Sequence, residues 1–145
     1  MRALIDTNVI LDVLLRRDPH YSHSAEIWAL VEQGLAQGSI AAHAVTTVHY
    51  VVRKHLGAPR ATEVIRLVLD VFDVADVSAA VLARSIALEW PDFEDAVTAS
   101  AALAANCDLI VTRDTSGFSR SPVKALTPRS ALSVMKGRPP GRSRR

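Results

Sequence analysis

The stretch Ala3-Leu4-Ile5-Asp6-Thr7-Asn8 decides how the rest of the chain is arranged. A short apolar run ends in a carboxylate, and the apolar residues that follow recur every three or four positions. This pattern predicts a buried strand followed directly by a helix. In open α/β sheets, clefts form outside the carboxyl ends of the strands, so we expect Asp6 at the floor of a cleft. A carboxylate in such a place is poorly solvated and requires a cation or hydrogen-bond donors.

Strands and helices alternate along the remainder of the chain. Short apolar runs at 39–42, 71–74, 108–112 and 123–126 predict four further strands, and the segments between them have helical apolar spacing. Alternation of this kind is typical of an α/β protein with a central, mainly parallel sheet. We therefore expect about four or five strands flanked by helices on both faces.

Two acidic residues are expected to cap helices in this arrangement. Asp18 precedes Pro19, a pair that is typical of a helix N-terminus. Asp76 precedes a helical segment whose apolar stripe should face the core. That stripe consists of Val77, Val81, Leu82 and Ile86.

Length and composition fit one globular domain. The chain has 145 residues, of which 49% are hydrophobic, enough to bury a substantial core. No apolar run is long enough to span a membrane, and a strand begins almost at once, so we expect neither an anchor nor a signal peptide. The single cysteine, Cys107, allows no internal disulfide and is typical of a reducing compartment. These features predict a cytoplasmic protein.

Positive charge is concentrated at the C-terminus. Five of the 17 basic residues lie in the last ten positions with no acid among them, so the body of the chain has 12 basic residues against 15 acidic ones. The end of the chain also has no apolar periodicity. We expect a folded domain over residues 1–135 and a basic, disordered tail over residues 136–145.

Two further acidic groups are expected at the same edge of the sheet as Asp6. Asp92 and Asp95 open an Ala-rich helix and are three positions apart, so they share one side of its first turn. Asp114 follows the apolar strand 108–112. Carboxylates within about 4–6 Å repel one another by several kcal/mol, and such a cluster takes up protons or binds cations. Oxygen ligands suit Mg²⁺ or Mn²⁺ best.

Each of these acids also has an ordinary structural explanation. Asp92 is a good helix N-cap, and Asp95 is favourable in a first helical turn. Asp114 fits a turn that contains Gly117, and Asp6 could simply cap the first helix. Taken singly, each of these explanations is the commoner one. The joint pattern is what favours a site.

The three acidic segments together resemble a PIN domain, most of all the stand-alone bacterial toxins of type II toxin–antitoxin pairs, the VapC-like ribonucleases. The resemblance spans about residues 1 to 130. It implies a Rossmann-like α/β fold and a four-acid site for Mg²⁺ or Mn²⁺. It also implies an endoribonuclease that cleaves RNA phosphodiester bonds with metal-activated water, forms a homodimer and is neutralised by a cognate antitoxin protein. The segments that carry the likeness are Asp6-Thr7-Asn8, Asp92-Phe93-Glu94-Asp95-Ala96 and Thr112-Arg113-Asp114-Thr115-Ser116-Gly117-Phe118.

Site residues follow from this resemblance position by position. It makes Asp6, Asp95 and Asp114 the catalytic and metal-binding acids, and Asp92 an additional ligand. Residues that match the polar groups orienting these carboxylates are Asn8 and Thr112.

One position departs from the family. Thr47 stands in the third helix where the family usually has a Glu. A threonine hydroxyl can accept a hydrogen bond from a metal-bound water but supplies no charge, which implies weaker metal binding or a one-metal site. His43 or His49 could compensate, although a histidine beside an apolar stripe is more often simply packed.

The residues that would bind RNA are less distinctive. Arg53 and Lys54 lie at the end of the third predicted helix, and Arg113 adjoins Asp114, so all three are candidate phosphate contacts. A solvated helix end has the same pattern. Aromatic residues make up only 5% of the chain, which argues against an extended base-stacking platform.

Two other classes of function are compatible with parts of the sequence. A PIN-like fold with a catalytically weakened site would be an RNA- or protein-binding module, and its hallmark would be the absence of saturable Mn²⁺ binding. A receiver-type signalling domain also has a phosphoacceptor Asp at a strand end. That class needs a later Lys in a set order, however, and the only lysines before the tail are Lys54 and Lys124. The paired acids at Asp92 and Asp95 have no place in it.

Overall fold

A parallel five-stranded sheet forms the centre of the molecule. The computed structural model describes residues 1–137, so the expected tail lies outside the described residues from position 138 onward. All four pairs of neighbouring strands are parallel, and their order is β3-β2-β1-β4-β5. The strands are β1 (Arg2–Ile5), β2 (Gln37–Ala41), β3 (Asp73–Ala75), β4 (Leu109–Val111) and β5 (Lys124–Leu126). The predicted α/β class, sheet direction and strand number are confirmed.

Seven α-helices flank this sheet within the described part of the chain, and a short 3₁₀ helix spans Thr115–Phe118. Helix α1 packs against α2 and α3, α2 against α7, and α3 against α4, whereas α5 packs on α6, which also contacts the sheet. No helix among residues 1–137 combines the length and the apolar composition needed to cross a membrane. The helices are α1 (Thr7–Leu14), α2 (Tyr21–Glu32), α3 (Ala42–Leu56), α4 (Ala58–Val71), α5 (Ala79–Ala87), α6 (Phe93–Ala104) and α7 (Pro128–Lys136).

The central strand explains why the first residues organise the fold. Strand β1 lies between β2 and β4, and its Leu4 is in register with Ser39 on one side and Ile110 on the other. Strands with helices on both faces bury both sets of side chains, and the apolar runs of β1 and β4 are accordingly buried. The residues that follow β1 and β4 therefore emerge next to each other at the carboxyl edge of the sheet.

Helix α6 is packed closely along its length. Seven consecutive residues, 96–102, are buried, and all of them have small or β-branched side chains. Small side chains allow the helix axis to approach its neighbours closely. Cys107, just beyond this helix, is also packed, and burial raises the pKa of its thiol to about 11.

Two predicted helix caps are wrong. Helix α2 begins at Tyr21, with His20 rather than Asp18 at its N-cap position. Helix α5 is capped by Ser78 rather than Asp76, because the Ser78 hydroxyl accepts a hydrogen bond from the Val81 backbone N–H at 3.2 Å.

The predicted buried face of α5 is also partly wrong. Val81 is buried as expected, but Leu82 and Ile86 are 43% and 66% exposed. Instead of these large side chains, Ser85 lies against α6: its hydroxyl donates to the backbone carbonyl of Val81 at 2.7 Å and lies 3.4 Å from the backbone carbonyl of Ala96. The small serine lets α5 approach α6 closely, which turns the larger apolar side chains outward.

Candidate active site

Asp6 is held in a defined orientation at the end of β1. Its backbone N–H donates to the carbonyl oxygen of Val111 at 2.9 Å, which extends the pairing of β1 with β4. One carboxylate oxygen accepts from the Thr7 backbone N–H at 2.8 Å, so Asp6 does cap α1. The other oxygen accepts from the Thr112 hydroxyl, also at 2.8 Å. Asp6 can therefore cap α1 and still present a carboxylate to the candidate site.

Thr112 connects the first acid to the last. Its side chain is fully buried, and its hydroxyl accepts a hydrogen bond from the Asp114 backbone N–H at 3.3 Å while it donates to Asp6. A hydroxyl has only one proton to donate, so this contact commits it to the Asp6 carboxylate. Thr112 thus lies where a residue that orients these acids must lie.

The N-terminus of α6 contributes the middle group of acids. The Asp92 carboxylate accepts from the Asp95 backbone N–H at 3.0 Å, which confirms Asp92 as the N-cap. Glu94 and Asp95 occupy the first turn, where the helix dipole favours negative charge. Asp95 is partly buried, whereas Asp92 and Glu94 are exposed.

Asp114 caps the 3₁₀ helix and brings that turn against α6. Its carboxylate accepts from the Ser116 backbone N–H at 3.2 Å and from the Ser116 hydroxyl at 2.5 Å. The next residue, Gly117, lies so close to α6 that a Cβ atom there would be 2.5 Å from Asp95 Oδ2. Glycine is therefore needed at this position to leave space for the Asp95 carboxylate.

Burial and mutual repulsion raise the pKa values of two of these acids. The pKa of Asp95 rises to about 6, chiefly because the carboxyl is buried and further because Asp92, Asp6, Glu94 and Asp114 surround it with negative charge. Burial also raises the pKa of Asp6, although hydrogen bonds from Thr112 and Thr7 partly offset this. The acids predicted from three separate segments are thus near enough to influence one another.

His43 lies at the same site, a position that the sequence suggested only as a remote substitute for Thr47. Its Nε2 is 3.9 Å from Glu94 Oε2, and both ring nitrogens are buried without a hydrogen-bond partner within residues 1–137. Burial lowers the pKa of the imidazole, while Glu94 and Asp6 act to raise it. Thr47 is half-buried one turn further along α3. The available signal was the place of His43 just after β2, at the edge of the sheet where Asp6 lies.

The donor set at this edge fits a divalent cation. Asp6, Asp95 and Asp114 supply carboxylate oxygens, the ligands that Mg²⁺ and Mn²⁺ prefer. Asn8, in the first turn of α1, has a buried Oδ1 without a hydrogen-bond donor among the described residues. Over the same range, no three acidic, histidine or cysteine side chains already have the spacing of a metal-ligand set. The carboxylates therefore lie near enough to affect one another electrostatically, but each is oriented mainly by its own hydrogen bonds at a helix or turn start.

The three predicted RNA contacts have different surroundings. Arg53 and Lys54 are exposed in the last turn of α3. Basic side chains at this end of a helix also stabilise it by interacting with the helix dipole. Arg113 is instead paired with the fully buried Asp12, with its Nε 2.8 Å from Asp12 Oδ2, and Arg17 pairs with the other oxygen at 2.8 Å. Asp12 escaped the sequence analysis because it lies within the apolar stripe of α1 and has no motif around it.

A cleft of about 180 Å³ opens beside the acids. It lies between the N-terminus of α6 and the turn that contains the 3₁₀ helix. Its lining residues are Trp90, Pro91, Asp92, Asp95, Ser116, Gly117, Ser119 and Arg120.

A parallel α/β sheet with carboxylates gathered at the carboxyl edge of its central strands defines a class of protein, the Rossmann-like α/β domains with an acidic site at that edge. The sequence model of the PIN domain matches residues 2–116. The chain belongs to the PIN domain family. No curated protein gives a significant match.

Solved structures of toxin–antitoxin systems have the same fold. VapBC2 from Rickettsia felis, bound to a promoter DNA fragment, aligns with a TM-score of 0.67 at 19% identity over 88% of this chain and 98% of that one. A toxin–antitoxin complex from Klebsiella pneumoniae gives 0.67 at 25% identity, covering 87% and 97%. Mycobacterium tuberculosis VapC20, a sarcin-ricin loop cleaving toxin, gives 0.61 at 13% identity, covering 74% and 86%. The predicted resemblance to VapC-like PIN domains is confirmed at the level of family and fold.

Proposed function

We propose that this PIN domain is a metal-dependent endoribonuclease and the toxin of a toxin–antitoxin pair. The observation that carries the proposal is the convergence of Asp6, Asp95 and Asp114, from three distant segments, on one edge of the sheet, where the pKa of Asp95 is raised to about 6. Isolated carboxylates of capping residues do not require such crowding. The similarity to toxins of VapBC systems, one of which cleaves the sarcin-ricin loop, supports RNA as the substrate.

The cofactor in this proposal is Mg²⁺ or Mn²⁺, held by Asp6, Asp95 and Asp114 with Asp92 as an additional ligand. When bound, such a cation would act as a Lewis acid: it would lower the pKa of a water molecule so that it is nucleophilic near neutral pH, and it would offset negative charge on the phosphodiester. The chain itself has to keep the acids in place before the substrate arrives. Thr112 does this for Asp6 through a hydrogen bond of 2.8 Å.

The remaining polar groups have positioning roles in the proposed site. Ser116 holds one oxygen of Asp114 through both its backbone N–H and its hydroxyl. Asn8 offers a buried amide oxygen in the first turn of α1. His43 brings an imidazole rather than a carboxylate next to Glu94, and Thr47, one turn further along α3, supplies no charge. This favours fewer metal ligands than a four-acid site has.

The direct test is to substitute Asp6 by Asn and measure RNA cleavage by the purified protein. Asparagine is also a good N-cap, so α1 should remain folded. We expect Mn²⁺- or Mg²⁺-dependent cleavage by the wild type and a loss of more than about 100-fold in the variant, because several kcal/mol of transition-state stabilisation depend on the cation. The matched control is Asp70→Asn on the surface of α4, which should cleave normally. Undiminished, chelator-sensitive cleavage by Asp6→Asn would rule the assignment out.

A second candidate function is a catalytically weakened RNA- or protein-binding module. The observations in its favour are the neutral Thr47 and the absence, within residues 1–137, of a ready-made metal-ligand set. Titration calorimetry with Mn²⁺ separates the two candidates. Saturable binding that disappears in Asp6→Asn supports the nuclease, whereas RNA binding with no Mn²⁺ heat supports the module.

The partners implied by the proposed function are RNA, a cognate antitoxin and a second copy of the chain, in the cytoplasm. The antitoxin proposal is supported by neighbouring structures that are toxin–antitoxin complexes. The test of an antitoxin partner is co-purification of this protein with the product of a small adjacent gene, a product that carries a DNA-binding domain. Sedimentation of the purified protein tests the homodimer.

Arg53 and Lys54 are the residues that we propose for contact with RNA phosphates, and Arg113 adjoins the acids. Reversing the charge of the first two should weaken RNA binding and flatten its salt dependence, since each phosphate contact with a single strand adds about 0.7 to the slope. Arg113 is already paired with a buried carboxylate, so its replacement tests folding as well as binding. Circular dichroism of each variant distinguishes the two effects.

A further inference from the structure

The cleft beside the acids is lined by residues that would not be needed to hold a cation. Two of its lining residues are the acids Asp92 and Asp95, but Trp90 and Arg120 also line it. The remaining lining residues are small or uncharged. A cleft that combines an aromatic residue with a cationic one is suited to a group that is both planar and anionic.

Trp90 is fixed in position by its packing. Its ring lies edge-on to Phe118, with the ring centroids 6.2 Å apart and an interplanar angle of 86°. Phe118 is buried in the core, whereas Trp90 is only partly buried and lines the cleft with its remaining surface. An aromatic ring that is packed on one side and keeps part of its surface exposed is one on which a nucleobase can stack.

Arg120 is exposed, and no carboxylate of the described residues lies within ion-pair distance of it. This is notable because it shares the cleft with Asp92 and Asp95. A guanidinium that is not engaged with the nearby acids remains available for a phosphate, which it can contact in bidentate fashion.

We propose that this cleft is a subsite for one nucleotide next to the scissile phosphate, with its base stacked on Trp90 and its phosphate contacted by Arg120. This inference rests on the proposed ribonuclease function. The volume of about 180 Å³ is below the roughly 300–1,000 Å³ of pockets for drug-sized ligands, so it suits a single base rather than a stretch of them. One such stack also agrees with the low aromatic content, since no extended platform is present among residues 1–137.

The fluorescence of Trp90 provides a direct test. The chain has two tryptophans, and the other, Trp28, is only 7% exposed and packs on Phe72. In a Trp28→Phe variant, the emission reports on Trp90 alone. The probe is a short, mixed-sequence, single-stranded oligoribonucleotide in the presence of EDTA, which prevents cleavage. We expect saturable quenching by this RNA and much weaker quenching by an abasic strand of the same length.

Substitutions then measure what Trp90 and Arg120 each contribute to the affinity for RNA. Trp90→Ala should weaken RNA binding about 5- to 150-fold, the effect of losing one base stack, while Trp90→Phe should retain most of the affinity and controls for packing against Phe118. Arg120→Glu should weaken binding and reduce its salt dependence. Arg66→Glu, at an exposed arginine of α4, is the matched control for charge.

The possible results separate this subsite from the function on which it rests. If labelled RNA binds but the emission of Trp90 does not change, or if folded Trp90→Ala binds with wild-type affinity, the subsite is wrong even when Mn²⁺-dependent cleavage is present. If Trp90 responds as expected but no cleavage occurs with Mn²⁺, the subsite stands and the nuclease assignment fails. If RNA does not bind, the subsite is wrong, and if Mn²⁺-dependent cleavage is also absent, the nuclease assignment fails as well.

Discussion

Replacing Asp95 by Asn should stabilise the metal-free protein. The pKa of this carboxyl is raised from its ordinary value of 3.8 to about 6, by burial first and then by the charges of Asp92, Asp6, Glu94 and Asp114. A raised carboxyl pKa means that the folded state disfavours the ionised form, so ionisation of Asp95 costs stability at neutral pH. A neutral amide of nearly the same shape avoids that cost.

The magnitude follows from the pKa itself. A change from 3.8 to about 6 corresponds to about 3 kcal/mol between the two protonation states. The amide is also partly desolvated and the charges are screened by solvent, so we expect a gain of about 1–2 kcal/mol. For a domain of this size, that raises the melting temperature by about 3–6 °C.

The pH dependence has a definite sign. Below the unfolded pKa of 3.8, Asp95 is protonated in both states and costs nothing. The cost grows as the pH rises towards about 6 and is constant above that value. The advantage of Asp95→Asn should therefore be largest at pH 7.5 and shrink towards zero near pH 4.

The assay is thermal unfolding of both proteins in EDTA across this pH range, with Asp70→Asn as the control. Excess Mn²⁺ should then stabilise the wild type, by about 2.7 kcal/mol at 100 times its dissociation constant, and have little effect on Asp95→Asn. Burial and repulsion at Asp95 do not destabilise the fold if Asp95→Asn melts below the wild type at pH 7.5, or if its advantage is the same at pH 4.

Three other substitutions test the contacts around the acids. Thr112→Val leaves one of the two Asp6 carboxylate oxygens without a donor and should cost about 1–3 kcal/mol in urea unfolding and slow cleavage, whereas Thr112→Ser should not. Gly117→Ala places a methyl group against the Asp95 carboxylate and should weaken Mn²⁺ binding in calorimetry while the circular dichroism stays unchanged. Asp12→Ala removes a fully buried carboxylate that pairs with two arginines, and guanidinium unfolding should show a loss of about 3 kcal/mol; a loss within experimental error would contradict the pairing.

Most of the sheet could be predicted from the sequence because apolar periodicity and strand-end residues are local properties. The strands and the caps at Asp6 and Asp92 depend on neighbours within a few positions. Predictions from local sequence were wrong where a contact with a residue far away in the chain determines the structure. Asp76 precedes a plausible helix, but the contact of Ser85 with α6 determines which face of that helix is buried.

The candidate site divides in the same way. The sequence by itself determined that Asp6 and Asp114 emerge at one edge, because parallel strands place their carboxyl ends together. Asp95 opens α6, which follows α5 with no strand between them, so this rule does not place it there. Only the tertiary structure decided that Asp95 is crowded enough to have a pKa of about 6, that Arg113 is engaged with a buried acid, and that Trp90 and Arg120 share a cleft with the acids. Burial and Coulomb interactions depend on distances between segments far apart in the chain, and sequence spacing does not specify those distances.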